Sequence, residues 1–253
     1  MAETFIIRGF WGPRAEGDAG LAERTGSLLG RLDALLPGGV DRWDLPKGDP
    51  VAVADHAGLA SYVRELAEEA RRESPGLGIV FVSSGMGSDG AWFRVTLAAG
   101  GTALGPGLMN SVVVKLAWPA GDVDAQLAMA CDALVALVEE WDPDWGDIYT
   151  RRLRDGLRDR VEARMRAPSP GYSVYLSSLR CEAARAVSLP GRQWELAGGG
   201  VVSVDSERGS LPSVDQVLAL DQALASSGAF EPTPVDSPHI VERTVAISPE
   251  AGS

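Results

Sequence analysis

Ile79-Val80-Phe81-Val82, Gly85-Met86-Gly87-Ser88-Asp89-Gly90 and Ala91-Trp92-Phe93-Arg94-Val95-Thr96-Leu97 follow one another in the chain, and their reading decides the fold. Ala91, Phe93, Val95 and Leu97 alternate with Trp92, Arg94 and Thr96, the period of a strand. The glycine segment matches the G-x-G-x-x-G pattern letter for letter. A dinucleotide loop, however, needs a helix next, so that the helix N-terminus can hold a pyrophosphate. Here a strand comes next, and no acid stands about 20 residues on to meet a ribose. The segment therefore reads as a glycine-rich hairpin loop. Val112-Val113-Val114-Lys115-Leu116 adds a third strand. Strands joined by short Gly turns, with helical segments around them, predict an α+β fold. Its sheet is mixed or mainly antiparallel, with helices packed on its faces.

Four amphipathic helices frame this meander. Residues 18–36 place Leu21, Thr25, Leu28, Leu29, Leu32 and Leu35 at 3–4 spacing, and residues 57–73 do the same with Leu59, Tyr62, Val63, Leu66 and Ala70. Helix 122–140 opens at Asp122, a good N-cap, and helix 213–226 opens at Ser213. Tyr172–Ser177 and Gly200–Asp205 read as further strands. Pro168 and Pro170 mark a candidate sub-boundary near 166–170, but the linker is too short for two independent domains. Residues 1–230 therefore read as one domain. Residues 231–253 read as a Pro-rich, partly disordered tail.

The composition narrows the function classes. The chain has 253 residues, 45% hydrophobic and 23% charged, with a formal charge of −12. That charge disfavours general binding to nucleic acid or anionic membrane and suits a basic partner. Residues 1–12 lack a signal-peptide pattern, and no apolar run approaches a membrane span. With two cysteines, Cys131 and Cys181, the expected location is the cytoplasm.

No catalytic set is legible. His56 and His239 have no metal-ligand spacing to another His or Cys, and no G-x-S-x-G elbow occurs. Asp55, before His56, reads as a helix cap. No cofactor is expected, although paired carboxylates remain open as an alternative enzyme or metal site. Residues 151–166 carry seven Arg against three acids, a local +4. Their mixed pairing favours a solvated helix, or one docked on an acidic patch of the same chain, over a nucleic-acid binder.

The leading binding segment is Glu139-Glu140-Trp141-Asp142-Pro143-Asp144-Trp145-Gly146-Asp147, five carboxylates and two indoles in nine residues. Trp is enriched in binding hot spots, and carboxylates steer basic partners. Glu139, Glu140, Trp141, Asp142, Asp144, Trp145 and Asp147 are the candidate partner-binding residues. The competing expectation is that each Trp packs back on the core and Asp-Pro makes an ordinary turn.

Three segments carry a resemblance. The opening Phe10-Trp11-Gly12-Pro13-Arg14 follows a strand and precedes a helix, and Trp11 is expected in the core. Trp141-Asp142-Pro143-Asp144-Trp145 follows the central helix. Gly171-Tyr172-Ser173-Val174-Tyr175-Leu176-Ser177 precedes a glycine-led strand at 198–204. Together they resemble the immunity protein 52 family of bacterial polymorphic toxin systems, less closely after Gly199. The resemblance implies a non-catalytic protein that binds and neutralises a cognate toxin. Some toxins of that kind look like restriction-endonuclease-fold nucleases, whose phosphate-attracting faces are basic.

Overall fold

Eight strands form one sheet in the order β4-β5-β6-β1-β7-β8-β10-β9, and every neighbouring pair is antiparallel. The computed structural model describes residues 3–232 except 37, 41, 47–49, 53–54, 89, 104–108, 119–121, 163, 165 and 186. His239 and the tail from residue 233 lie outside them. The strands are β1 (Thr4–Trp11), β4 (Ile79–Met86), β5 (Trp92–Ala99), β6 (Asn110–Ala117), β7 (Trp145–Thr150), β8 (Ser173–Ser177), β9 (Arg192–Leu196) and β10 (Gly199–Ser203). Two-residue strands β2 (Arg42–Trp43) and β3 (Val51–Ala52) form a separate small ribbon. The sheet runs without a break across residues 166–170, because β7 pairs with β8.

The helices are α1 (Asp18–Leu35), α2 (His56–Glu73), α3 (Val123–Trp141), α4 (Arg151–Leu157), α5 (Ser178–Ala184) and α6 (Val214–Ser226). The first three share one face of the sheet. Tyr62 of α2 meets Phe81 of β4 edge-on at 6.1 Å, and α3 approaches β1 so closely that Gly9 leaves no room for a Cβ against Leu137. Phe5, Ile7, Phe81, Phe93, Val95, Val112 and Val114 point into this layer and are buried. Each such side chain contributes about 1.5–3 kcal/mol through burial. α5 lies on the other face, with Cys181 against Gly200 of β10. α4 packs on β7 and α6.

Local signals account for most of these boundaries. β1 ends at Trp11, directly before Gly12-Pro13, and Trp11 is buried. Asp55 caps α2 by accepting from Gly58 N, and Asp122 caps α3 by accepting from Asp124 N. The glycine segment is a hairpin: Gly87 N donates to the Ala91 carbonyl, and Gly90 takes a positive φ of 82°. The Arg-rich segment differs from a full helix. Among its described residues the helix is Arg151–Leu157, and Arg160 and Arg164 beyond it pair with Asp215 and Asp221 of α6.

Candidate functional site

The segment 139–147 begins on the last turn of α3 and ends inside β7, so the helix and the sheet dictate where its side chains go. Trp141 continues the buried stripe Ala130, Leu134, Leu137 and Val138 of α3. Asp142 ends the helix in the left-handed region at φ 44°. The chain then turns, and Asp144 N donates to the Phe10 carbonyl at 2.8 Å, which enters β7 beside β1.

Burial corrects the surface reading at three positions. Trp141, Trp145 and Asp147 are 0%, 4% and 0% exposed, so their side chains are not part of the surface. The physical reason is that Trp145 and Asp147 lie in β7, buried at every position, and Trp141 lies on the buried stripe of α3. Trp141 stacks on Trp11 with ring centroids 5.6 Å apart, and Trp145 stacks on Phe10 at 4.3 Å. The indole N–H groups of Trp11, Trp141 and Trp145 find no acceptor among the described residues, so ring packing holds them. Arg14 lies over Trp11 and donates to the Trp141 carbonyl at 2.9 Å. Burial draws the Arg14 guanidinium below its ordinary value, against the pull of Glu16.

The carboxylates divide by role. Asp147 receives both a Nε and a Nη2 hydrogen bond from Arg8. Asp144 accepts from Arg180 and Ser177. Asp142 and Asp144 are half-buried. Glu139 is exposed and Glu140 half-buried on the α3 surface, where Arg31 of α1 pairs with both and Ser27 donates to Glu140 at 2.7 Å. Of the seven candidates, Glu139 alone is exposed.

One relationship was not legible from spacing alone. The three segments that carry the family resemblance meet in space. Phe10 and Trp11 belong to β1, Trp145 to β7 and Tyr175 to β8, which are consecutive strands of the sheet. Tyr175 is opposite Gly146, and Ser177 N donates to the Asp144 carbonyl at 3.0 Å.

Other candidates are plain in their surroundings. His56 is exposed at the start of α2. Among the described residues, no group of three His, Cys, Asp or Glu side chains could hold a metal ion. Cys131 and Cys181 are free thiols. An open cleft of about 660 Å³ lies between α5 and the β9–β10 hairpin, with Cys181, Arg185, Trp194 and Glu195 in its wall. Burial pushes the Cys181 thiol above its ordinary value, the opposite of an activated nucleophile. No described helix is long and apolar enough to cross a membrane.

No family profile and no curated protein matches the chain. A solved structure, described as Pseudomonas aeruginosa T6SS protein PA0821, is similar over 89% of this chain and 79% of its own. The TM-score is 0.50 and the identity 12%. At that identity the likeness is one of fold: an antiparallel sheet with helices packed around it defines the class, and PA0821 shares it.

Proposed function

We propose that this chain is a non-catalytic immunity protein that binds and neutralises a cognate bacterial toxin in the cytoplasm. The observation that carries the reading is the convergence of the three resembling segments on β1, β7 and β8. They form one connected unit of the fold rather than scattered short matches. The fold shared with a protein described as belonging to a type VI secretion system supports the same reading. The charge of −12 suits a basic toxin, a restriction-endonuclease-fold nuclease among the candidates, and would speed association with it. Glu139 and Glu140 are the part of the acidic segment best placed to face such a partner. Trp141 would support that surface from inside, whereas Trp145 and Asp147 pack on the other face of the sheet, against Phe10 and Arg8.

The pairing within the chain disfavours the nucleic-acid alternative. Arg158, Arg160 and Arg164 are engaged by Asp155, Asp215 and Asp221 of the same chain. The test of the immunity reading is co-expression with the product of the neighbouring gene. Rescue of growth together with a stable co-purified complex is the expected result. A harmless neighbour that does not co-purify overturns it.

A further inference from the structure

Among the described residues, no helix packs on the second face of the sheet over β4, β5 and β6. Strand register fixes what it presents. Met86, Trp92 and Ala117 form one cross-strand row, and Ser84, Arg94, Lys115 and Ile6 form the next. Val82, Thr96, Val113 and Arg8 form a third, and Val80, Ala98, Ser111 and Phe10 a fourth. The described helices that reach β4 and β6 pack from the opposite face. Val80 and Met86 are 66% and 69% exposed, unusual for large apolar side chains on the same face of one strand. Trp92, half-buried, stands directly opposite Met86.

Arg94 and Lys115 are the second anomaly. They are exposed, directly opposite each other on β5 and β6, and of the same sign. Like charges in that arrangement are destabilising. Among the described residues, no carboxylate comes within ion-pair distance of either one. Arg8, two rows away from Met86, is already committed to Asp147. Although the chain has 35 acids and a net charge of −12, no described acid pairs with these two adjacent cations, which lie beside the apolar row of Met86, Trp92 and Ala117.

We infer that this open sheet face, centred on Arg94 and Lys115 and bordered by Val80, Met86 and Trp92, is a protein-docking surface for a partner presenting carboxylates beside an apolar patch. It rests on the toxin-binding reading and adds a contact surface on the face of the sheet opposite Glu139 and Glu140. The occupant follows from charge complementarity: carboxylates relieve the Arg94–Lys115 repulsion, and apolar groups cover Met86 and Trp92. A two-fold partner copy would bring the same two cations against these and add to the repulsion. The overall charge of the toxin does not decide the matter, because a local carboxylate cluster on a basic protein suffices.

The test uses the full chain and the product of the neighbouring gene, measured by calorimetric titration. Arg94→Glu/Lys115→Glu should weaken binding about 10- to 100-fold, and Met86→Ser should weaken it further. Arg64→Glu/Arg72→Glu makes the same change of charge on the helical side and should stay within about twofold. All these positions are exposed, and an unchanged thermal midpoint confirms folding; Arg94→Gln/Lys115→Gln gives an intermediate loss. Wild-type binding that the double reversal leaves intact overturns this surface and leaves the immunity reading standing. A wild-type chain that does not bind overturns both. A solution dimer dissolved by the double reversal assigns the face to a second copy and overturns the proposal. So does a gain in toxin affinity when the chain is cut after Pro232, which assigns the face to its own C-terminal segment.

Discussion

Arg8 on β1 and Asp147 on β7 form a two-point ion pair across the centre of the sheet, Nε to Oδ1 at 2.8 Å and Nη2 to Oδ2 at 2.7 Å. Asp147 is fully buried, whereas the Arg8 side chain is 23% exposed at the margin of the open sheet face. Tyr149 and Phe10 flank the guanidinium, which lies 4.4 and 5.4 Å from their ring centres. Burial tends to lower the Arg8 value, but Asp147 more than offsets it and holds the guanidinium above its ordinary value. Two strands that sequence separates by over a hundred residues are locked in register by this pair.

The unequal exposure of the partners predicts unequal costs. Arg8→Met strands a carboxylate with no route to water and should cost about 3–5 kcal/mol. Asp147→Asn leaves a guanidinium that can lean toward solvent, so it should cost less. Urea denaturation of both variants decides this; equal losses, or a larger loss for Asp147→Asn, would refute it. The same geometry means that charge reversal at Asp147 reads out folding rather than partner binding.

Gly146, one residue earlier, is required by space. A Cβ there would sit 2.6 Å from the Arg8 carbonyl oxygen and 3.1 Å from Leu134 Cδ1. At Gly9 the clash is with the Leu137 and Pro143 side chains. Backbone in a paired strand yields less than a side chain, so Gly146→Ala should destabilise more than Gly9→Ala, each by about 1–3 kcal/mol. The reverse order in thermal melts would show that the α3–β1 contact is the stiffer one.

The legible parts of the chain were those with a period or an apolar run. α1, α2, α3 and α6 lie where 3–4 spacing predicts them, β5 where alternation does, and β4 and β6 where apolar runs do. β7 is read as loop for a physical reason. Buried on both faces, Trp145-Gly146-Asp147-Ile148-Tyr149-Thr150 shows no alternation, and its Gly and Asp are poor strand formers. β9 is missed because its edge-strand residues Arg192, Gln193 and Glu195 are polar, and α5 because seven residues are too few for a helical period; α4 lies within the helix read over 151–166 but ends at Leu157. Within the candidate site, Trp141 stands at helical spacing from Leu134 and Leu137, and that spacing does signal the core. The pairing of Asp147 with Arg8, and of Arg94 with Lys115, needs strand register, which one sequence does not contain.

Arg180 ties the end of the domain to its centre. It donates from Nη2 to Asp144 at 2.8 Å, and from Nη1 to the carbonyls of Ala229 and Glu231 at 2.6 and 2.8 Å. Arg180→Ala removes three partners at once and leaves Asp144 with a weaker set. Limited proteolysis should then cut between 226 and 232 much faster than in the parent chain, before global unfolding. Arg180→Lys, a point charge without the planar fork, should restore only part of the protection. Cleavage unchanged in Arg180→Ala would show that Phe230, packed under Arg164, holds the segment alone.

The two thiols give a prediction with a pH direction. Burial pushes Cys131 upward against a hydrogen bond with Ser173, and burial pushes Cys181 upward against the Gly200 backbone. A raised value leaves less thiolate at a given pH, and thiolate is the reactive form. Iodoacetamide at pH 8 should therefore label the native chain more slowly than the urea-unfolded chain, with the native pH–rate curve displaced to the alkaline side. The linkage has the matching sign. The native state holds these protons more tightly, so their contribution to stability is full below the unfolded thiol value, about 8.5. It is lost as pH rises through the higher native values. Cys131→Ala/Cys181→Ala should flatten that alkaline decline. Native labelling as fast as unfolded labelling at pH 8 would mean that both thiols are ionised and accessible, and the role of burial in suppressing them would fall.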